Sequence, residues 1–141
     1  MARPPVDDFV ILNKQRKHAI DRRELRKFVL VLSHEMEIGH LSFAIVFITD
    51  VAMRNYNRTY RGYDKPTDVL SFRGEAGYLG DILISSETAY TQALKARKLN
   101  FQTNIHRLIV HGLLHLMGYD HENDDGEMRA IERRLRRRFQ C

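Results

Sequence analysis

The 141-residue sequence contains a single cysteine, Cys141. One cysteine excludes an intramolecular disulfide framework and cannot supply the thiolate cluster of a structural zinc site. No apolar run approaches the roughly 18 residues that a membrane-spanning helix needs, and residues 1–8 lack the apolar core of a signal peptide. These absences predict a cytoplasmic protein with no membrane partner.

The composition is that of an ordinary globular protein, because hydrophobic residues make up 43% of the chain and charged residues 29%. The chain is long enough to form one hydrophobic core without disulfide bonds. We therefore expect a single domain over residues 1–141, with residues 1–8 as a loose N-terminal arm. The formal net charge of +5 admits a polyanionic partner without requiring one.

Part of this positive charge lies in the arginine-rich segment 133–138. Cations near the end of a helix stabilise it through the helix dipole, and the acidic residues of segment 122–127 suit the opposite end in the same way. A solvated helix face explains segment 133–138 as well as a nucleic-acid-binding patch does. Both interpretations stay open at this point.

The spacing of apolar residues predicts nine elements in the order β-α-β-α-β-β-α-α-α. We expect strands at 9–13, 41–48, 68–72 and 81–84, and helices at 21–37, 50–60, 86–98, 103–117 and around 128–139. Asp21 and Asp50 are the expected N-caps of the first two helices, and Ser85 or Ser86 that of the third. The order predicts an α+β fold, in which one small mixed four-stranded sheet packs with about five helices.

A histidine motif stands at the end of the fourth predicted helix. His111 and His115 are four residues apart, so they lie on one helix face, one turn from each other. Gly118 predicts the end of the helix, after which the chain can turn and bring His121 to the same point. Three neutral nitrogen ligands leave one coordination position open, which is typical of a zincin-like catalytic zinc site.

The alternative is a pair of buried core histidines. The helix is apolar almost all round between Ile105 and Met117, so each imidazole would need a polar partner. A shared cation satisfies both rings and is therefore favoured, although imidazole ligands also suit nickel, copper or iron. His106 lies five residues before His111, which rotates it off the shared face, and it is left out of the predicted site.

Three segments, in order along the chain, closely resemble the YbeY family of bacterial zinc-dependent endoribonucleases: residues 57–72, 80–82 and 111–121. The resemblance implies that His111, His115 and His121 bind zinc and that Arg61 and His111 are catalytic. It also implies a cytoplasmic enzyme that binds ribosomal RNA and the small ribosomal subunit, without an organic cofactor. Its expected role is single-strand-specific cleavage in maturation of the 16S ribosomal RNA 3′ end and in ribosome quality control.

Two other functions are compatible with the histidine spacing. Metzincin peptidases share it, but their first histidine is followed by a glutamate that acts as general base. Gly112 stands at that position here, so a peptidase is a weaker interpretation, and other small hydrolases stay open. The second alternative is a non-catalytic ribosome-binding protein in which zinc only stabilises the fold.

The expected chemistry is metal-assisted hydrolysis of a phosphodiester. Zinc held by three imidazoles can lower the pKa of a bound water from about 16 toward roughly 7. The guanidinium of Arg61 can contact two phosphoryl oxygens at once and stabilise the charge that develops on them. The general base is not assigned, because the sequence does not place any of four candidates: Asp64, Asp68, Asp81 and Asp120.

Overall fold

The computed structural model describes residues 9–141, so the expected N-terminal arm lies outside the described residues. Four strands and five helices follow one another as β1 (Phe9–Asn13), α1 (Arg22–Glu35), β2 (Ser42–Ile48), α2 (Asp50–Arg61), β3 (Val69–Arg73), β4 (Tyr78–Ser85), α3 (Ser86–Lys95), α4 (Phe101–Leu116) and α5 (Glu127–Phe139). The predicted α+β class and element order are confirmed, whereas the single-domain assignment over the whole chain stays a prediction. Within residues 9–141, no helix is both long and apolar enough to cross a bilayer.

The four strands form one mixed sheet in the order β1-β2-β4-β3. β1 and β4 both run parallel to β2, and β3 is antiparallel to β4 at the edge of the sheet. The predicted pairing of the last two strands is confirmed, but β4 begins at Tyr78 rather than Asp81. The connection between β3 and β4 is therefore shorter than expected, and Gly80 lies inside β4. Gly80 has a φ of 143°, and a Cβ atom there would lie 2.2 Å from the Phe72 carbonyl oxygen, so the position requires glycine.

Side-chain caps fix the starts of the first four helices. Asp21 caps α1 and Ser85 caps α3, as predicted. The predicted Asp50 cap is wrong, because the Thr49 side chain accepts from the Ala52 amide at 3.2 Å. Asp50 is instead the first residue of α2, and its carboxylate accepts hydrogen bonds from β4 and α3, through Ser85 Oγ and Thr88 Oγ1.

The sheet separates two apolar clusters of unequal size. The larger one lies between one sheet face and helices α1, α4 and α5, and includes the fully buried residues Val29, Ile45, Phe47, Ile82, Ile84, Ile109 and Leu113. The smaller one lies on the other face under α2, and consists of Ile48, Met53, Leu70 and Leu83. Alternate residues of β4 face the two clusters, as the period of a strand requires.

Helix α4 lies close against the sheet because it presents a glycine to it. A Cβ atom at Gly112 would lie 2.8 Å from Cγ2 of Ile82 on β4. On the same side, Ser71 Oγ on β3 donates to the Gly112 carbonyl at 3.0 Å. These contacts place the last two turns of α4, which contain His111 and His115, beside the edge strand β3.

Candidate metal centre

His111 and His115 lie on one face of α4, and their ring nitrogens face each other. The two Nε2 atoms are 3.0 Å apart, and the ring centroids are 4.5 Å apart. Two nitrogen ligands of a tetrahedral zinc ion, each about 2.0–2.1 Å from the metal, are separated by about 3.4 Å. The two imidazoles therefore need only a small adjustment to share one cation.

The chain after α4 turns back toward these rings. Gly118 has a φ of 99°, and its amide donates to the His115 carbonyl at 3.0 Å. Residue 121 returns to the site, where the His121 ring stacks on the His111 ring with 5.6 Å between centroids. The centroids of His121 and His115 are 6.4 Å apart. The structure thus brings together the three histidines that the sequence singled out.

A carboxylate that the sequence interpretation missed lies in the same cluster. Glu132 on α5 is only 7% exposed. Its Oε1 atom lies 2.8 Å from Nε2 of His121 and 3.0 Å from Nδ1 of His111. Donor atoms of these three residues all fall within 4.8 Å of one another, so this set could also hold a metal ion.

The position of Glu132 in the sequence indicates that its side chain is buried. It follows Met128 by four residues and precedes Leu135 by three, so it stands on the apolar stripe of a helix whose other charged residues are mostly arginines. A lone acid on a buried stripe needs a partner. That argument predicts a buried polar contact, although it does not say with which residue.

The protonation of the centre follows from its neighbours. Nδ1 of His115 lies 3.0 Å from the Tyr119 carbonyl, which can only accept, so this nitrogen is the one that bears hydrogen. Burial, with a smaller effect from His111, lowers the pKa of His115. Burial by itself would raise the pKa of Glu132, but hydrogen bonds and charges from His111 and His121 bring it below its usual value. The centre thus favours a neutral His115 imidazole and an ionised Glu132.

The three histidines line an open cavity of about 450 Å³. Arg61, the last residue of α2, lines the same cavity, together with residues 67–71 around the start of β3. Helix α2 ends there because Gly62 takes the left-handed conformation, with a φ of 76°. The predicted arginine and the predicted histidines therefore face one space, although they are fifty residues apart in the sequence.

Two of the four candidate bases also line this cavity. Asp68 accepts hydrogen bonds from the Val69 amide at 2.7 Å and from Gln92 Nε2 at 3.1 Å. Asp120 accepts from the Glu122 amide at 3.0 Å, and it also accepts from Asn123 Nδ2 at 2.8 Å. Asp120 thus stabilises the turn that returns His121 to the site.

The other two aspartates have partners elsewhere. Asp64 forms a two-point ion pair with Arg54, whose hydrogen bonds lower the pKa of the carboxyl. Asp81 accepts a hydrogen bond from the Tyr78 hydroxyl. Burial, followed by this contact, raises the pKa of Tyr78 to about 12. Neither carboxylate lines the cavity that contains the histidines.

His106 lies outside the centre, as its position in the sequence indicated. Its Nε2 atom is 2.8 Å from Oε1 of Glu24 on α1, and its ring stacks on Phe28 with 3.9 Å between centroids. This histidine therefore joins α4 to α1 and plays no part in the metal centre.

The arginine-rich segment 133–138 divides between two environments. Arg136 lies 3.5 Å from Oε2 of Glu132, beside the metal centre. Arg138 is exposed and pairs with Glu35 of α1 at 3.3 Å. Most of the segment is thus a solvated helix face with local ion pairs, and its interpretation as a nucleic-acid patch stays a prediction.

The fold and the centre define a small α+β protein with a histidine-rich candidate metal site in an open cavity. The family model described as Endoribonuclease YbeY matches residues 10–140. The chain belongs to the endoribonuclease YbeY family, as the three sequence motifs indicated.

Relatives agree with this assignment, and a solved structure has a similar fold. The Endoribonuclease YbeY of Geobacter sulfurreducens is 36% identical over 138 aligned residues, which cover 92% of this chain and 91% of the relative. That of Aquifex aeolicus is 38% identical over 122 residues, or 83% and 81% of the two chains. The solution structure of TM1509 from Thermotoga maritima matches with a TM-score of 0.64 at 26% identity, covering 89% of this chain and 85% of that one.

Proposed function

We propose that this protein is a zinc-dependent endoribonuclease that cleaves single-stranded ribosomal RNA. The observation that supports this most directly is the convergence of His111, His115 and His121 on a cavity that Arg61 also lines. The relatives named as endoribonucleases match over most of the chain, which supports RNA as the substrate. An open cavity also supports a reaction at the metal rather than a purely structural ion.

The proposed ligands are the three histidines, with Glu132 as a positioning residue. Both ring nitrogens of His111 face a partner: Nε2 faces His115, and Nδ1 faces Glu132. Nε2 can bind a metal only when Nδ1 bears the proton, and a carboxylate that accepts from Nδ1 selects that tautomer. A histidine ligand held by a carboxylate is the usual arrangement around protein-bound zinc.

The residues around the cavity have separate tasks in the proposed reaction. A divalent cation, when bound, supplies Lewis acidity toward a phosphoryl oxygen and makes a water molecule more acidic. The Arg61 guanidinium binds two oxygens of the same phosphodiester and stabilises the negative charge that grows on them during cleavage. Asp68, Asp120 and Glu122 are the carboxylates that line the cavity and could receive a proton, and we assign the base to none of them.

Peptide hydrolysis by the metzincin arrangement is disfavoured by the environment of Gly112. A side chain at this position would start 2.8 Å from Ile82 on β4, so it would extend into the sheet and not into the cavity. The glutamate that such peptidases use as general base therefore has no room here.

We further propose ribosomal RNA near the 3′ end of the 16S molecule as the substrate, the small ribosomal subunit as the partner, and a cytoplasmic location with a role in ribosome quality control. The family membership supports this role, and the net charge of +5 suits a polyanionic substrate.

The test is cleavage of labelled RNA by purified, zinc-loaded protein. One substrate is a single strand with the sequence of the 16S 3′ end, and the control is the same strand in a duplex. We expect the single strand to be cleaved, the reaction to stop with a chelator, and zinc to restore it. Cleavage that persists in excess chelator, or metal-dependent cleavage of peptides but not of RNA, would contradict the proposal.

A further inference from the structure

A cluster of three aromatic side chains, of which Tyr56 and Tyr60 are exposed and Phe72 is half-buried, lies where α2 approaches the edge strand β3. Tyr56 and Tyr60 are one turn apart on α2, with ring centroids 6.3 Å apart and an interplanar angle of 17°. The rings of Tyr60 and Phe72 of β3 pack edge to face, with centroids 5.0 Å apart and an interplanar angle of 66°. We call Tyr56, Tyr60 and Phe72 the aromatic surface.

Core packing does not account for the aromatic surface. The apolar cluster under α2 is formed by Ile48, Met53, Leu70 and Leu83, and Phe72 only packs against its border. Tyr60 is 64% exposed and Tyr56 is 40% exposed. Contiguous exposed rings of this kind are uncommon on a soluble domain unless they contact a ligand or a partner.

The aromatic surface and the cavity that contains the histidines share two chain segments. Tyr60 immediately precedes Arg61 on α2, Phe72 immediately follows Ser71 on β3, and Arg61 and Ser71 line that cavity. Ser71 faces α4 and Phe72 faces the opposite, α2 side of the sheet, because successive residues of a strand alternate in direction. An RNA strand would therefore pass over the edge strand β3 to contact both. A further ring, that of Tyr63, lies 5.2 Å from the Arg61 guanidinium. Tyr63 lines a neighbouring cavity of about 610 Å³, which shares Arg61 with the first. Aromatic residues thus flank Arg61 on both sides in the sequence, as Tyr60 and Tyr63.

We propose that the aromatic surface binds unpaired bases of the RNA strand by stacking, next to the phosphodiester that Arg61 contacts. This inference rests on the proposed endoribonuclease function. Aromatic rings stack on the faces of bases with little dependence on sequence. Bases in a duplex already stack on one another, so only a single strand can offer its bases to these rings. The surface would then contribute to selection of single-stranded substrate.

The charges nearby favour RNA over a protein as the occupant. The Arg61 guanidinium and the Lys65 ammonium lie 5.2 Å and 5.9 Å from the Tyr63 ring, whereas Arg58 pairs with Asp64 at 3.5 Å. Cations beside aromatic rings favour a single strand as the ligand, because the cations contact phosphates and the rings contact bases.

The test compares Tyr60→Ala, Tyr60→Leu and Tyr60→Phe in the zinc-loaded protein. Binding of a fluorescent single-stranded RNA is measured by anisotropy, and zinc content and melting temperature are measured alongside. We expect Tyr60→Phe to bind like the wild type, because it keeps the ring. Tyr60→Ala and Tyr60→Leu should lose about 5- to 150-fold in affinity, the range found for removal of one base-stacking ring. KM for cleavage should rise in parallel, with a smaller change in kcat.

The control variant is Leu94→Ala, which removes a large apolar side chain that is 71% exposed on α3. It should bind RNA like the wild type. An RNA that lacks the bases beside the cut site provides a second control, because Tyr60→Ala should weaken its binding no further.

The outcomes separate this inference from the proposed function. If the wild type cleaves RNA and a folded Tyr60→Ala variant binds and cleaves it equally well, stacking is wrong and the endoribonuclease function stands. Equal affinity of Tyr60→Leu and the wild type also contradicts stacking. If the wild type binds single-stranded RNA without cleaving it, the endoribonuclease function is wrong. A loss of binding in Tyr60→Ala would then still support base stacking on the aromatic surface.

Discussion

Glu132 and His121 are joined across two elements, with Oε1 of Glu132 lying 2.8 Å from Nε2 of His121. Glu132 belongs to α5, whereas His121 belongs to the turn that follows α4. The same carboxylate oxygen lies 3.0 Å from Nδ1 of His111. One buried acid thus determines the relative positions of two proposed metal ligands, and α5 is part of the metal centre.

Replacement of Glu132 by glutamine should weaken zinc binding by about 10- to 100-fold, the usual cost of losing a carboxylate that orients a histidine ligand. The amide keeps the shape of the side chain and an acceptor oxygen, but it lacks the negative charge that strengthens the hydrogen bonds from the two imidazoles. Competition with a chromophoric chelator measures the affinity. Glu127→Gln, on the exposed first turn of α5, is the matched control and should bind zinc normally.

Cobalt substitution distinguishes positioning from ligation by Glu132. If Glu132 only orients His111 and His121, the visible spectrum of the cobalt-loaded Glu132→Gln variant should match that of the wild type at saturation. A spectrum that reports a different coordination number would instead make Glu132 a ligand and contradict the three-histidine assignment.

Removal of either helical histidine should abolish stoichiometric metal binding. His111→Ala and His115→Ala each delete one of two nitrogens that lie 3.0 Å apart, and the remaining pair of histidines is a much weaker site. Elemental analysis of the folded variants should give well under one zinc per chain. His40→Ala, in an exposed loop, should keep the wild-type content. One zinc per chain in either site variant would refute the assignment.

Arg61→Ala should lower kcat/KM for RNA cleavage by about 10²- to 10³-fold, the typical effect of removing one donor to the developing charge. Zinc content should not change, because Arg61 lines the same cavity as the proposed ligands without being one of them. Arg61→Lys should recover part of the activity, since lysine keeps the charge but not the two-point contact. Arg97→Ala, an exposed arginine after α3, is the control. Unchanged cleavage by Arg61→Ala would contradict the role of this residue.

Gly112→Ala should destabilise the protein by about 1–3 kcal/mol, the usual cost of overpacking a core contact. The new Cβ would meet Cγ2 of Ile82 at 2.8 Å and push α4 away from the sheet. Urea unfolding measures the free energy of unfolding. Gln102→Ala, at an exposed position of the same helix, should change it by less than about 0.5 kcal/mol. Equal stability of Gly112→Ala and the wild type would show that α4 has room to move.

His106 should make stability fall on mild acidification. Burial lowers its pKa in the folded state, and the charge of Glu24 opposes this only in part. Between the ordinary histidine pKa of 6.5 and the lower pKa in the folded state, the unfolded chain binds a proton that the folded chain does not. The free energy of unfolding therefore decreases as pH falls through this window. His106→Phe keeps a ring against Phe28 and should flatten that slope in urea unfolding at several pH values. A steeper slope would mean that protonated His106 stabilises the fold.

The parts of the fold that depend on local pattern were predictable from the sequence. Helical periodicity and a capping aspartate located α1, and the spacing of His111 and His115 with Gly118 predicted the turn that returns His121. The start of α2 was not predictable because Thr49 and Asp50 are both good cap residues, and only the backbone shows which one is outside the helix.

Glu132 shows what local pattern cannot supply. Its position on the apolar stripe of α5 could be identified from the sequence, but its contacts with His111 and His121 depend on how α5 packs against α4. Tertiary packing also brings Arg61 to the cavity, and only the family resemblance predicted a role for this arginine. Residues that meet through packing of distant elements leave little trace in sequence spacing.

The bond between α5 and the turn after α4 links ligand occupancy to the local unfolding of a whole helix. Local unfolding of α5 would withdraw the Glu132 side chain from His111 and His121. A metal ion that binds more tightly when α5 is folded therefore stabilises the folded helix. Amide hydrogens in the middle of α5 should therefore exchange with solvent more slowly in zinc-loaded protein than in chelator-treated protein.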